Sequence, residues 1–122
     1  LDNKNKLIER KLLFMGTINK SVVHPREIFK NAYLTSASGI ICIHNHPSGD
    51  ITPSSEDKYL TKALVDIGKL QNIPIIDHII IGEDKYFSFL ENGLLWEERK
   101  KYLILNIRLC LLYYLLFYLL DY

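Results

Sequence analysis

The sequence predicts an α/β domain whose mixed sheet is flanked by helices, and three observations carry that expectation. Short apolar runs rich in isoleucine occur at Gly39–Ile43 and Ile73–Gly82. Segments with apolar residues at helical spacing alternate with them. Gly82-Glu83-Asp84-Lys85 then supplies a turn into a further strand-like stretch. The resulting order, β-α-β-α-β-β, is that of a layered α/β fold.

Asp2–Lys6 is a polar turn, and Leu7–Met15 has the apolar content of a first strand. Gly16–Ser21, "GTINKS", forms a loop. His24-Pro25 opens a helix, because proline's fixed φ suits the first helical position, where its missing N–H costs nothing. Ile28, Ala32 and Phe29 give that helix its apolar stripe. Gly39–Ile43 is continuous and glycine-bounded, as expected of a central strand buried on both faces. Asn45–Pro53 contains two prolines and a glycine and reads as a loop. A second helix starts at Ser54 or Ser55 and runs to about Gln71, with Leu60, Ala63, Leu64 and Ile67 on one face. Ile73–Gly82 is a second core strand, and Tyr86–Leu90 pairs with it.

The 122 residues suffice for one small domain with a real core. A formal net charge of +1 gives no stripe for phosphate, so nucleic acid is not favoured as a partner. Cys42 and Cys110 form neither a disulfide framework nor a zinc-type spacing, and the opening "LDNKNK" is polar and unlike a signal peptide. A reduced, cytoplasmic chain is expected. Composition divides the chain into a punctuated domain, 1–95, and a hydrophobic tail, 96–122. The tail has no Gly or Pro, and its apolar run Leu109–Leu120 is shorter than the roughly 18–20 residues of a spanning helix. Leu103–Leu120 reaches that length only by admitting Asn106 and Arg108, although Arg99, Lys100 and Lys101 suit a cytoplasmic flank. Membrane contact by 103–120, a buried helix and a tail without a role all stay open.

The chemistry concentrates in His44-Asn45-His46-Pro47-Ser48-Gly49-Asp50. In extended backbone, residues i and i+2 project to one side. His44 and His46 therefore face one point at a strand's C-terminal end, where open α/β sheets place their sites. Two neutral imidazoles need a further ligand to hold zinc, and a catalytic site also needs an open position. Asp57 is the candidate, since the proline-containing loop folds the second helix's first turn back toward the strand end. Ser54-x-x-Asp57 is equally a capping box, and the two roles are compatible because a carboxylate has two oxygens. Histidines at a strand end can also be purely structural. In the strand at Ile73–Gly82, alternation turns either Asp77 or His78 inward, for a structural hydrogen bond or a contact behind a metal. His24 is a helix-opening residue, and Cys42 reads as a small buried hydrophobe. Ser48 and Gly49 form a turn, and Asp50 faces solvent.

His44-x-His46-Pro47, then Ser54-x-x-Asp57, matches the H-x-H-x7-S-x-x-D signature of the JAMM/MPN metalloproteases. Longer stretches resemble the bacterial RadC-type branch: "GTINKSVVHPREIFKNA" (Gly16–Ala32), "IICIHNHPSGDITPSSED" (Ile40–Asp57) and "IIDHIIIG" (Ile75–Gly82). The resemblance covers Leu1 to about Leu95. It implies a cytidine-deaminase-like α/β fold and a Zn2+ ion held by His44, His46 and Asp57. Ser54 would help hold water or the oxyanion. It implies a metallopeptidase or isopeptidase acting on a peptide or isopeptide bond, and it brings an older association with DNA repair. The family's general base is a glutamate upstream of the H-x-H, on a separate segment. The sequence opens after the point where that glutamate is expected, as in a chain lacking the N-terminal part of the domain. Glu9 and Glu27 are the only glutamates before His44, and neither sits in the family position. Glu9 is expected to face solvent from the first strand, and Glu27 from the first helix.

Three functions follow. One is a zinc-dependent hydrolase, and a second is a metal-binding remnant without catalysis. The third is a protein acting on or near DNA, prompted by the letters "HNH" and the repair association. HNH nucleases spread those residues over a ββα unit, and the charge here offers no phosphate-binding stripe.

Overall fold

The computed structural model describes residues 1–13 and 23–95. Its elements are α1 (Pro25–Leu34), β1 (Ile40–Asn45), α2 (Ser55–Gln71), β2 (Ile75–Ile81) and β3 (Tyr86–Ser88). The strands form one mixed sheet in the order β1-β2-β3, with β1 parallel to β2 and β3 antiparallel to it. The expected α/β architecture with a mixed sheet is thus present. Among the described residues no helix is long and apolar enough to cross a membrane. The Gly16–Ser21 loop, the 96–122 tail with its 103–120 stretch, and Cys110 lie outside the described residues.

Both helices begin where the sequence places them. Pro25 occupies the first turn of α1, and His24 Nδ1 accepts from the Arg26 N–H at 3.3 Å. Ile28, Phe29 and Ala32 are its buried residues, as the stripe predicts. Ser54 caps α2 in a full capping box with Asp57, and Asn72 ends it in the left-handed region at φ 56°. The buried face of α2 is Thr61, Leu64, Val65 and Gly68, rotated from the expected Leu60, Ala63, Leu64 and Ile67. Two positions explain the rotation. Thr61 is drawn inward by a hydrogen bond to His78, and Gly68 lies against the chain reversal after the helix. A Cβ at Gly68 would fall 2.7 Å from the backbone oxygen of Ile73. Gly68→Ala is therefore expected to destabilise the protein by about 1–3 kcal/mol despite alanine's better helix propensity. A urea midpoint equal to or above wild type would contradict that contact.

Leu7–Met15 does not supply the expected first strand in its described part. Leu7–Leu13 joins none of the three strands, and Leu7, Ile8, Leu12 and Leu13 are exposed. Apolar content makes a strand only where a neighbour offers both a ladder and a face to bury. Phe14 and Met15 lie outside the described residues. β1 consequently forms one edge of the described sheet instead of its centre, and it runs two residues beyond Ile43. Pairing continues past its end, where the His46 N–H donates to Ile81 O at 2.9 Å.

β2 is the middle strand, and its two faces belong to different clusters. Ile80 packs with Ile28, Phe29, Leu64, Val65 and Phe89 on the helix side, while Ile79 meets Ile41, Ile43 and Ile81 on the other. Asp77 and His78 are therefore both buried, at 0% and 3% exposure. The alternation that turned one of them outward fails because neither face of this strand is open. In register, Cys42 lies opposite His78 and His44 opposite Ile80. These four side chains share the face that carries Thr61. Cys42 packs against the core but is only partly buried, short of the fully buried hydrophobe expected, and burial, with a smaller contribution from Asp77, pushes its thiol up to about 12. β3 stops at Ser88 instead of Leu90, because Ser88 and Leu90 turn their donors onto the Asp77 carboxylate.

Candidate metal centre

The end of β1 delivers His44 and His46, and the first turn of α2 delivers Asp57. Two glycines let the connecting loop fold tightly enough for them to meet. Gly49 has φ +77°, a conformation natural to glycine. Gly82, at the end of β2, leaves room for the loop: a Cβ there would lie 2.7 Å from Gly49 O and 2.8 Å from Ile51 Cγ2.

The three predicted ligands converge. His44 Nε2 lies 3.3 Å from Asp57 Oδ1, and His46 Nε2 lies 3.4 Å from Asp57 Oδ2. The two Nε2 atoms are 3.0 Å apart. Among the described residues these three form a group able to hold a metal ion, one ligand atom from each within 4.8 Å of the others. All three are half-buried.

Each ligand is held from behind. His46 Nδ1 sits 2.6 Å from the backbone oxygen of Asp50, a pure acceptor, so this nitrogen carries the proton and Nε2 presents its lone pair. The Asp50 side chain is exposed as expected and accepts from the Thr52 N–H at 2.9 Å. Ser54 donates twice to Asp57 Oδ2, from its N–H at 2.8 Å and from its hydroxyl at 2.6 Å. The hydroxyl also accepts from the Asp57 N–H at 3.1 Å. His44 Nδ1 lies 2.8 Å from His78 Nε2, and His78 Nδ1 lies 2.6 Å from Thr61 Oγ.

The charges are poised for a cation. Burial alone would raise the Asp57 carboxyl, but the Ser54 hydrogen bonds and the two imidazoles outweigh it and hold the group below its ordinary value. Burial lowers the His44 imidazole, with His46 adding to the effect and Asp57 opposing it. His78, buried and beside His44, is pushed down to about 4. These shifts favour a neutral His44 imidazole and an ionised Asp57 carboxylate, the protonation states that metal binding requires.

Sequence reasoning brought the H-x-H pair, Ser54 and Asp57 to their places, and it put His78 behind the site as one of two alternatives. It missed Thr61, whose position four residues after Asp57 sets both on one helix face and was the available signal. It missed the Asp50 backbone oxygen, which no residue pattern marks. Neither upstream glutamate joins the group. Glu9 lies in the exposed 7–13 segment, and the exposed Glu27 carboxylate lies 3.4 Å from Arg26 Nε.

A RadC-like JAB domain model matches residues 1–94. A UPF0758 protein of Bacillus cereus strain B4264 is 53% identical over 93 residues, which are 76% of this chain and 41% of that protein. A UPF0758 protein of Geobacillus sp. strain WCH70 is also 53% identical, and one of Bacillus anthracis strain A0248 is 52% identical, each with the same coverage. The chain thus spans about two-fifths of the length of the curated relatives it matches. The matched region contains every residue that builds and supports the His-His-Asp group, and on that match the chain belongs to the RadC-like JAB domain family.

Proposed function

We propose that this domain carries the metal centre of a zinc-dependent hydrolase acting on peptide or isopeptide bonds. The convergence of His44, His46 and Asp57 carries the reading. Four-coordinate zinc with bonds of about 2.0–2.1 Å keeps its ligands about 3.3 Å apart, and His44 Nε2 lies 3.0 Å from His46 Nε2 and 3.3 Å from Asp57 Oδ1. Two imidazoles and one carboxylate suit zinc better than magnesium or calcium, which favour oxygen ligands. Ser54 fills Asp57 Oδ2 with two donors and leaves Oδ1 as the oxygen for the metal. Bound zinc supplies Lewis-acid polarisation of a carbonyl and makes water acidic enough to react near neutral pH. We assign Ser54 a second task, steadying water or the oxyanion. Its hydroxyl would turn from Oδ2 while its N–H keeps that oxygen in place. The parallel β1-α2-β2 unit, with ligands at a strand end and a helix start, supports the cytidine-deaminase-like class.

Hydrolysis also needs a group to take the water's proton and pass it to the leaving amine. Glu9 and Glu27 stand apart from the metal group, and this favours a second reading in which the described residues bind metal without turnover. A role on DNA draws no support from the net charge of +1.

Zinc analysis of the purified chain tests the site. About one equivalent is expected in the wild type, with affinity reduced at least tenfold in His44→Ala and in Asp57→Ala. Full zinc in both variants would overturn the three-ligand centre. A peptidase assay on the zinc-loaded chain then separates the readings. Turnover abolished by His46→Ala supports the hydrolase, and stoichiometric zinc without turnover supports metal binding alone.

A further inference from the structure

We propose that Thr61 and His78 are positioning residues that lock His44 into the tautomer whose Nε2 lone pair faces the metal. The inference rests on the His-His-Asp centre described above and adds two residues to it. It follows from counting protons along one line of contacts.

The line starts at the backbone oxygen of Asp57, which can only accept. Thr61 Oγ lies 2.6 Å from it, a separation that two oxygens reach only with a hydrogen between them. Thr61 has one hydroxyl proton, and this contact uses it. Thr61 Oγ also lies 2.6 Å from His78 Nδ1, so the proton in that contact must come from the histidine. His78 is buried, stacked on Phe89 at 4.9 Å between ring centroids, and neither ring nitrogen meets a carboxylate. A ring so placed is neutral and has one proton, now fixed on Nδ1. Its Nε2 is therefore bare and accepts from His44 Nδ1, 2.8 Å away. His44, neutral as a metal ligand must be, then has no proton left for Nε2.

Two features make this more than local packing. The His46 ring is fixed in the same tautomer by a separate acceptor, the Asp50 backbone oxygen, so both Nε2 atoms arrive as lone pairs only 3.0 Å apart. With the Asp57 carboxylate beside them, the three groups turn electron pairs toward one small region, an arrangement suited to a cation. Furthermore, Asp57 contributes twice, its carboxylate as a ligand and its peptide oxygen as the anchor of the relay. One helical turn thus places the third ligand and sets the protonation of the first.

Removing the hydroxyl reverses the relay. In Thr61→Val, His78 Nδ1–H loses its acceptor, and His78 can move its proton to Nε2 and donate to His44. His44 must then carry its own proton on Nε2, where the metal should sit. Nitrogen-15 spectra of metal-free protein with labelled histidine, at a pH where the rings are neutral, read this directly. Wild type and Thr61→Ser are expected to show His44 protonated on Nδ1, and Thr61→Val is expected to move that proton wholly or partly to Nε2. In chelator competition, Thr61→Val should lose about 10–100-fold in zinc affinity, and Thr61→Ser should retain most of it. Thr61→Ala replaces valine in both measurements if the larger variant does not fold. Unchanged His44 protonation in Thr61→Val would overturn the relay, as would zinc affinity equally weak in Thr61→Ser. If wild type binds no zinc, the proposed metal centre falls, while the nitrogen spectra of the metal-free chain still decide the relay.

Discussion

Asp77→Ala is expected to cost about 3–4 kcal/mol, a large share of what holds a domain of this size folded. Asp77 is 0% exposed, and its two oxygens take three protein donors. Oδ2 accepts from the Ser88 hydroxyl at 2.6 Å, and Oδ1 accepts from the N–H groups of His78 at 2.7 Å and Leu90 at 3.0 Å. Alanine would leave these donors facing apolar neighbours, at about 1–3 kcal/mol for each that cannot find water. The same bonds turn the chain after β3 back over β2, so their loss would loosen Phe89 and Leu90 from the core. Burial raises the Asp77 carboxyl above its ordinary value, with the three hydrogen bonds opposing the shift. The charge itself is thus a burden, and the acceptors are the asset. Asp77→Asn keeps one acceptor oxygen and sheds the charge, so it should cost about half as much as alanine. Urea unfolding of the three proteins checks the order. Equal loss in the two variants would mean that the charge, and not the acceptor geometry, holds the turn.

Such a residue shows where the sequence stops being legible. Ile28, Phe29 and Ala32 announced α1 through their spacing, and Ser54 announced the start of α2 through its box with Asp57. His44 and His46 were readable because the i, i+2 rule needs only the strand they end. Each of these signals is local. The buried face of α2 was misjudged because Thr61 is polar, and its reason for facing inward lies on β2, 17 residues away. Asp77 and His78 could not both be recognised as buried, because Ser88 and Leu90 return to Asp77 only through the hairpin. The described part of the Leu7–Met15 expectation, Leu7–Leu13, failed in the opposite sense, since apolar residues suggested a strand that pairs with none of the described three. Hydrophobic periodicity records what a segment needs from water, whereas buried polar residues and strand pairing record what it needs from a distant segment.

Acidifying the metal-free protein from pH 7 to pH 4 is expected to remove roughly 2–3 kcal/mol of stability through His78 alone. The sign follows from where the proton binds first. His78 is pushed down to about 4 from an ordinary 6.5, by burial before all else, so between those values the unfolded chain takes a proton that the folded chain refuses. Its contribution is complete above pH 6.5, falls by up to about 1.4 kcal/mol per pH unit through the window, and levels off below about pH 4. His44 is shifted in the same direction by burial and steepens the fall. Asp57, held below its ordinary value of 3.8, adds its own loss only at the acid end. Asp77 is shifted up and works the other way, its native form favoured as protons arrive. The variant His78→Gln isolates the main source. It should start less stable at pH 7, because the bonds to His44 and Thr61 change, yet its urea midpoint should fall much less steeply toward pH 4. A His78→Gln slope as steep as wild type would place the acid sensitivity elsewhere. Repeating the wild-type series with zinc gives the reverse check, since a metal bound only to neutral imidazoles adds stability at pH 7 that protons displace as the pH falls.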